Sequence, residues 1–293
     1  MVQYIGKPLL LMAVYDTAVV VAYKIMHWSW VSFPHVPLAL YGSAIGIILS
    51  FRNNSSYARW WEARTLWGAI VNNSRSLARQ VMTGMRASKP EDENDLKVMQ
   101  RRIIYHQIAY VHALRQHLRG LDVMEELTPR LTPLDLESLR GQKNVPVELQ
   151  TQIGAMLWES EMRGWIQPLQ WQAMDHSLND LADAQGGAER IKNTPMPKQY
   201  DYFPQLFVHI YCVLLPLAMV MNLGWYTPLG SSLVAFIFLA LDKIGRDLED
   251  PFDNTVFDVP LTSISTTIET NLRQMLGDTE FPEAVTPVRG VLW

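Results

Sequence analysis

Carboxylates crowd one short stretch of the chain. Asp247, Glu249, Asp250 and Asp253 follow one another closely, with Asp258 just behind. Clustered carboxylates can bind a hard cation through oxygen. Their spacing does not match a helix–loop–helix calcium loop, so a charged, solvated helix end is the plainer reading. Asp247, Asp250, Asp253 and Asp258 stand as the alternative, a metal site. No resident metal and no cofactor is expected. His106, His112 and His117 share a second stretch. Steps of six and five residues fit no common metal motif, which leaves solvated or packed histidines. Asp16 interrupts an apolar run, where an ionisable group is costly and by default functional or paired. Its partner is not legible. The single cysteine, Cys212, lies in another apolar run; it reads as a small core residue and can form no internal disulfide. The sequence holds no Gly-rich phosphate loop, nucleophile elbow or paired-Cys zinc motif, so enzyme chemistry is not expected.

The elements that carry these residues differ sharply in composition. Of 25 Lys and Arg, 19 lie between positions 52 and 200, so the two ends are nearly free of positive charge. The ends hold four apolar runs instead: Leu9 to Tyr23, Val36 to Phe51, Leu206 to Leu223 and Thr227 to Leu241. A membrane-spanning helix needs about 20 apolar residues. Two of the runs fall short alone, but four of them paired around a charged middle read as two membrane hairpins. A mean hydropathy near zero averages over these two compositions. The formal net charge of −4 does not mark a nucleic-acid binder.

Trp28, Trp30, Trp225 and Tyr226 sit where two apolar runs meet, as interfacial aromatics do. Both short turns then lie on one side, and the basic middle and both termini lie on the cytoplasmic side. No cleavable signal peptide is read at the start. The resulting division is 1–51 for transmembrane helices 1 and 2, 52–203 for a cytosolic helical domain, 204–242 for transmembrane helices 3 and 4, and 243–293 for a cytosolic C-terminal segment. The fold class is all-α.

The middle shows helical periodicity throughout. Trp60, Ala63, Leu66, Trp67, Ile70, Val71, Leu77 and Val81 make one stripe, and Ile103, Ile104, Ile108, Val111, Leu114 and Leu118 another. Ser88 to Asp95 reads as a polar loop, and Gly186-Gly187 as a break between helices. The second apolar run passes into "FRNNSSYARWWEAR" with no Gly or Pro to stop it, so one helix should leave the membrane unbroken, with Arg52 opening its water-facing part. On that helix Gly42, Gly46 and Ser50 suit close packing. Ser43, Ile47 and Phe51 form a separate stripe at steps of four, which faces either lipid or core, or a pore.

Four motifs in order, "FRNNSSYARWWEARTLWG" (51–68), "GGAERIKNTPMP" (186–197), "CVLLPLAMV" (212–220) and "LEDPFDNTVFDVPL" (248–261), set around four apolar runs, resemble the bestrophin family in its bacterial branch. The resemblance implies a homopentameric ion channel of the bacterial inner membrane, multi-pass, with both termini cytoplasmic, the lipid bilayer and permeant monovalent ions as further partners, and no nucleic acid. It implies a neck on the second membrane helix at Ser43, Ile47 and Phe51, where Ser43 departs from the bulky apolar residue usual in the family. It implies a cytosolic aperture at Leu169, with Ile166 and Pro168 as substitutes. The acidic run that binds calcium in animal members is interrupted here by Val256 and Phe257, so no calcium clasp is expected. Animal members pass anions and bacterial relatives can favour monovalent cations, which leaves chloride or sodium open. The competing reading is a membrane-anchored partner-binding or signalling protein that does not conduct.

Overall fold

A computed structural model describes residues 2–288 and 290–292. The chain divides into two compact units: residues 1–59 with 195–250, and residues 60–194 with 251–293.

The first unit contains α1 (Val2–Lys24), the start of α2 (Leu38–Gly84), α8 (Lys198–Leu223) and α9 (Thr227–Asp247). Between α8 and α9 lies a single tight turn, Gly224–Tyr226, in which Gly224 has φ +51°. Among the described residues two segments are long and apolar enough to cross a membrane, Ile5–Lys24 and Lys198–Asp247, the second being α8 and α9 together. The apolar start of α2 reaches only from Leu38 to Phe51, roughly 21 Å against a hydrocarbon core of ~30 Å. Ile45 and Leu49 of α2 pack with Val208, Tyr211, Cys212 and Leu215 of α8 and with Ala235 and Leu239 of α9. Cys212 is free and buried. Gly42 is needed where it stands, because a Cβ there would lie 2.7 Å from the Tyr211 hydroxyl.

Asp16 finds its partners in this unit. Its Oδ2 accepts from Ser231 Oγ at 2.5 Å and from Ser232 Oγ at 3.2 Å, both on α9. Two hydroxyl donors from a neighbouring helix satisfy an oxygen that lipid could not.

The second unit is built on α3 (Glu93–Arg119), with α4 (Met124–Leu127), α5 (Pro133–Leu139), α6 (Val145–Met162), α7 (Pro168–Asn193), α10 (Leu261–Met275) and the rest of α2 around it. Ile103, Ile104, Ile108, Val111 and Leu114 of α3 are fully buried. The helix ends at Gly120, whose φ of +67° lets its N–H reach back to Gln116 and His117 carbonyls. The stretch from 120 to 167 is not one helix. Thr132 and Asn144 cap α5 and α6, and Pro133 and Pro146 stand in their first turns.

Gly186-Gly187 does not break a helix. α7 runs through both without interruption. The physical reason is packing: a Cβ on Gly187 would come within 2.8 Å of Leu66 Cδ2 on α2, so the glycine lets two helices approach. Gly186 faces open space.

The three histidines are packed and paired. His112 Nδ1 lies 3.2 Å from Glu126 and Nε2 lies 2.8 Å from Glu269, beside Arg115 and Arg130. His106 lies 3.8 Å from Asp135, and burial pushes its pKa down. His117 lies 3.7 Å from Glu189.

Candidate functional site

The stripe on α2 is set by which face the helix buries. Ile45, Leu49, Arg52 and Ser56 turn inward at steps of three and four. That leaves Ser43, Ile47 and Phe51 outward, with Ile47 58 % exposed and Phe51 68 % exposed. Two large apolar groups one turn apart therefore present a continuous water-repelling strip. Ser43 continues it with little polarity, because its hydroxyl donates to Ala39 O on the preceding turn at 2.7 Å.

Arg52 is not water-facing. It is 1 % exposed, and both terminal nitrogens of its guanidinium are held by two other helices. Nη1 donates to Asp242 Oδ1 and to the Asp242 carbonyl, each at 2.9 Å, and Nη2 donates to Asp201 Oδ1 at 2.6 Å. Arg246 holds the other oxygen of Asp242 at 2.7 Å. The periodicity that put Phe51 outward necessarily turned Arg52 inward, toward carboxylates some 150 and 190 residues away in sequence. The sequence reading missed this cluster. Its signal was an Asp at the edge of each later apolar run, Asp201 before Leu206 and Asp242 after Leu241.

In the second unit Leu169 is the second residue of α7 and is 78 % exposed. The helix start is fixed by Pro168 and by the Gln167 N–H, which donates to Gln170 Oε1 at 2.9 Å. A pocket of about 500 Å³ adjoins Leu169, lined by Asn73, Ser76, Arg79, Gln172 and His176 among others. Ile166 is committed to the hydrophobic core, whereas Pro168 is exposed.

The acidic residues near the α9 end are individually occupied. Asp247 pairs with Lys243 at 2.7 Å and Asp250 with Arg59 at 3.9 Å. Asp253 pairs with Lys192 at 2.6 Å, and Asp258 accepts from the Thr255 hydroxyl. Burial raises the Asp258 pKa. Among the described residues no three His, Cys, Asp or Glu side chains are grouped to hold a metal ion.

Residues 1–274 match the model of the family described as Bacterial/Fungal Bestrophin protein. The chain belongs to the bestrophin family. It is 33 % identical over 285 residues to the voltage-dependent anion channel-forming protein YneE of Escherichia coli strain K12, covering 97 % of this chain and 91 % of that one. It is 34 % identical over 242 residues to the voltage-dependent anion channel-forming protein alr2987 of Nostoc sp., covering 83 % and 78 %. A solved bestrophin homologue from Klebsiella pneumoniae superposes with a TM-score of 0.85 at 30 % identity, over 93 % of this chain and 98 % of that one. A single-residue variant of that homologue gives 0.85 at 31 % identity, over 94 % and 100 %. The all-helical architecture is thus that of a bestrophin, a membrane protein.

Proposed function

We infer that the chain is the subunit of an ion channel rather than an enzyme, and that small monovalent ions pass a hydrophobic neck and a second, cytosolic aperture. The observation that carries this reading is the outward strip of Ile47 and Phe51 on a helix whose opposite face is packed. A lone helix face so apolar would suit lipid equally. Membership of the bestrophin family favours a pore, formed by five copies around one axis. Residues 1–51 and 204–242 then supply four membrane passes and residues 52–203 and 243–293 the cytosolic part, with both termini cytoplasmic in a bacterial inner membrane. α2 would cross as an apolar start continued by its extension into water, since the apolar part alone is short.

The neck, Ser43, Ile47 and Phe51, carries no fixed charge and acts through size and dewetting. An ion entering it sheds water with no ligand in exchange, which is costly. Leu169 forms the cytosolic aperture in preference to Ile166, which the core already occupies. An uncharged ring sorts ions by size, so Leu169→Ala should widen the range of permeant ions with less effect on small-ion current; an unchanged permeability series would refute the assignment. Relatives named as anion channel-forming make chloride one candidate and sodium the other.

Purified protein in a planar bilayer tests the reading. A channel gives single-channel currents, and reversal potentials in asymmetric NaCl assign the sign of the permeant ion. Native mass spectrometry should show pentamers. Absence of currents, or only monomers and dimers in detergent, would count decisively against it.

A further inference from the structure

Arg52 stands one residue past Phe51, about 100° round the helix. One side chain faces out and the other is among the largest fully buried side chains. The guanidinium ties α2 to α9 through two bonds to Asp242 and to α8 through one bond to Asp201. The next residue adds a fourth bond, Asn53 Nδ2 to the Leu241 carbonyl at 2.9 Å. Gly245 marks how closely α9 approaches. A Cβ there would stand 2.1 Å from Asn53 Oδ1 and 3.3 Å from Arg52 Nη1. Rotating α2 about its axis at this level would break several of these bonds together. It would also strip buried Asp242 of its α2 partner and leave Arg246 to offset the charge, which is unfavourable.

The cluster is balanced in charge, with Arg52 and Arg246 facing Asp201 and Asp242. It therefore adds little field to the surface beside it. Its chemistry is mechanical: a planar fork bridges a carbonyl and two carboxylates that one lysine ammonium could not span together.

We propose that Arg52 is a positioning residue, which sets the rotation of α2 and so the direction in which Phe51 faces. The proposal rests on reading Phe51 as a neck residue. Through it Asp201 on α8 and Asp242 on α9 become parts of the gate, although neither lies on the helix that bears the neck.

Four variants in one bilayer series test it: Arg52→Gln, Gly245→Ala, Phe51→Ala, and Arg52→Gln with Phe51→Ala. Arg52→Gln should raise open probability about fivefold or more, the low end of couplings between linked sites. Its reversal potential in asymmetric NaCl should stay at the parent value. Gly245→Ala keeps every charge and displaces the Asn53 side chain, so it should move open probability the same way by a smaller factor. It decides the matter should Arg52→Gln fail to assemble. On the Phe51→Ala background, Arg52→Gln should add less than about twofold, because sites that act through one another are not additive. A shifted reversal potential would make Arg52 a pore charge and overturn the proposal. So would the full effect of Arg52→Gln persisting without the Phe51 ring. Phe51→Ala that alters gating while neither Arg52→Gln nor Gly245→Ala does so overturns the positioning role alone. Phe51→Ala that conducts like the parent overturns the neck assignment and the positioning role with it.

Discussion

The two units treat apolar side chains in opposite ways. In the second unit the apolar stripes of α3, α6 and α7 are buried in one cluster, and charged groups lie mostly outside or in paired networks. In the first unit Leu10, Leu11, Val14, Leu229 and Leu233 point outward, and the most costly polar groups, Asp16, Arg52 and Asp242, are turned in. Water drives apolar groups inward, whereas lipid has no such preference, so packing between membrane helices depends on shape and polar contacts. The same helical period therefore means different things in the two units. The buried face of α3 is its apolar face, while the buried face of α2 near the neck includes its arginine.

That contrast is broken most strongly at the one place where an apolar face of the first unit is read as meeting water. Ile47→Ala together with Phe51→Ala should raise open probability about tenfold or more, equivalent to ~1.4 kcal/mol in the open–closed equilibrium. Ser43→Ala should change little, because its hydroxyl already serves the helix. Bilayer recordings of both decide it. A double mutant that conducts like the parent while Ser43→Ala alters gating would mean that the strip does not face the pore.

Truncation should separate the units by stability. Ile104→Ala or Leu114→Ala removes fully buried groups and should cost about 2–5 kcal/mol. Leu233→Ala, on an outward face, should stay within about 0.5 kcal/mol. Thermal unfolding in detergent reads the difference as a large drop in apparent Tm for the first pair and almost none for the third. Equal drops would remove the distinction between a water-driven core and a lipid-facing surface.

Acid should weaken the second unit. The His112 imidazole, with Arg115 and Arg130, holds Glu126 at about 2, below its ordinary 4.5. Burial opposes the same shift in Glu269, yet His112 and Arg130 bring it to about 2 as well. Both folded-state values are depressed, so this stabilisation is fully present above pH 4.5 and is lost as pH falls toward 2. Glu269→Gln should flatten the acid limb of the stability curve, measured by unfolding at a series of pH values. An unchanged acid limb would show that the network does not set it.

The smallest effects concern the paired glycines. Gly186→Ala, in open space on a helix, should be neutral or stabilising by up to about 1 kcal/mol. Gly187→Ala must push Leu66 aside and should lose about 1 kcal/mol. Matching signs in a melting experiment would discard the close-approach explanation.

Local chemistry explains what the sequence by itself determined. Hydropathy marked the apolar ends and the charged middle. The 3.6-residue period marked the face of α3 that is buried and grouped Ser43, Ile47 and Phe51 on one strip of α2 without saying what it faces. The absence of Gly or Pro from Phe51 to Trp67 carried α2 out of its apolar start, and the helix runs on through Gly68 to Gly84. Four motifs in order identified the family. Pairing across the chain was decided only by the tertiary structure. A two-glycine step reads as a break until Leu66 is seen against it, and three histidines read as solvated or packed with no partner named until Glu126, Glu269, Asp135 and Glu189 are placed beside them. Asp16 needed Ser231 and Ser232 from α9, and Arg52 needed Asp201 and Asp242 from α8 and α9. A periodicity shows that a side chain faces inward. It holds no information about which distant residue comes to meet it, because that depends on how separate helices pack.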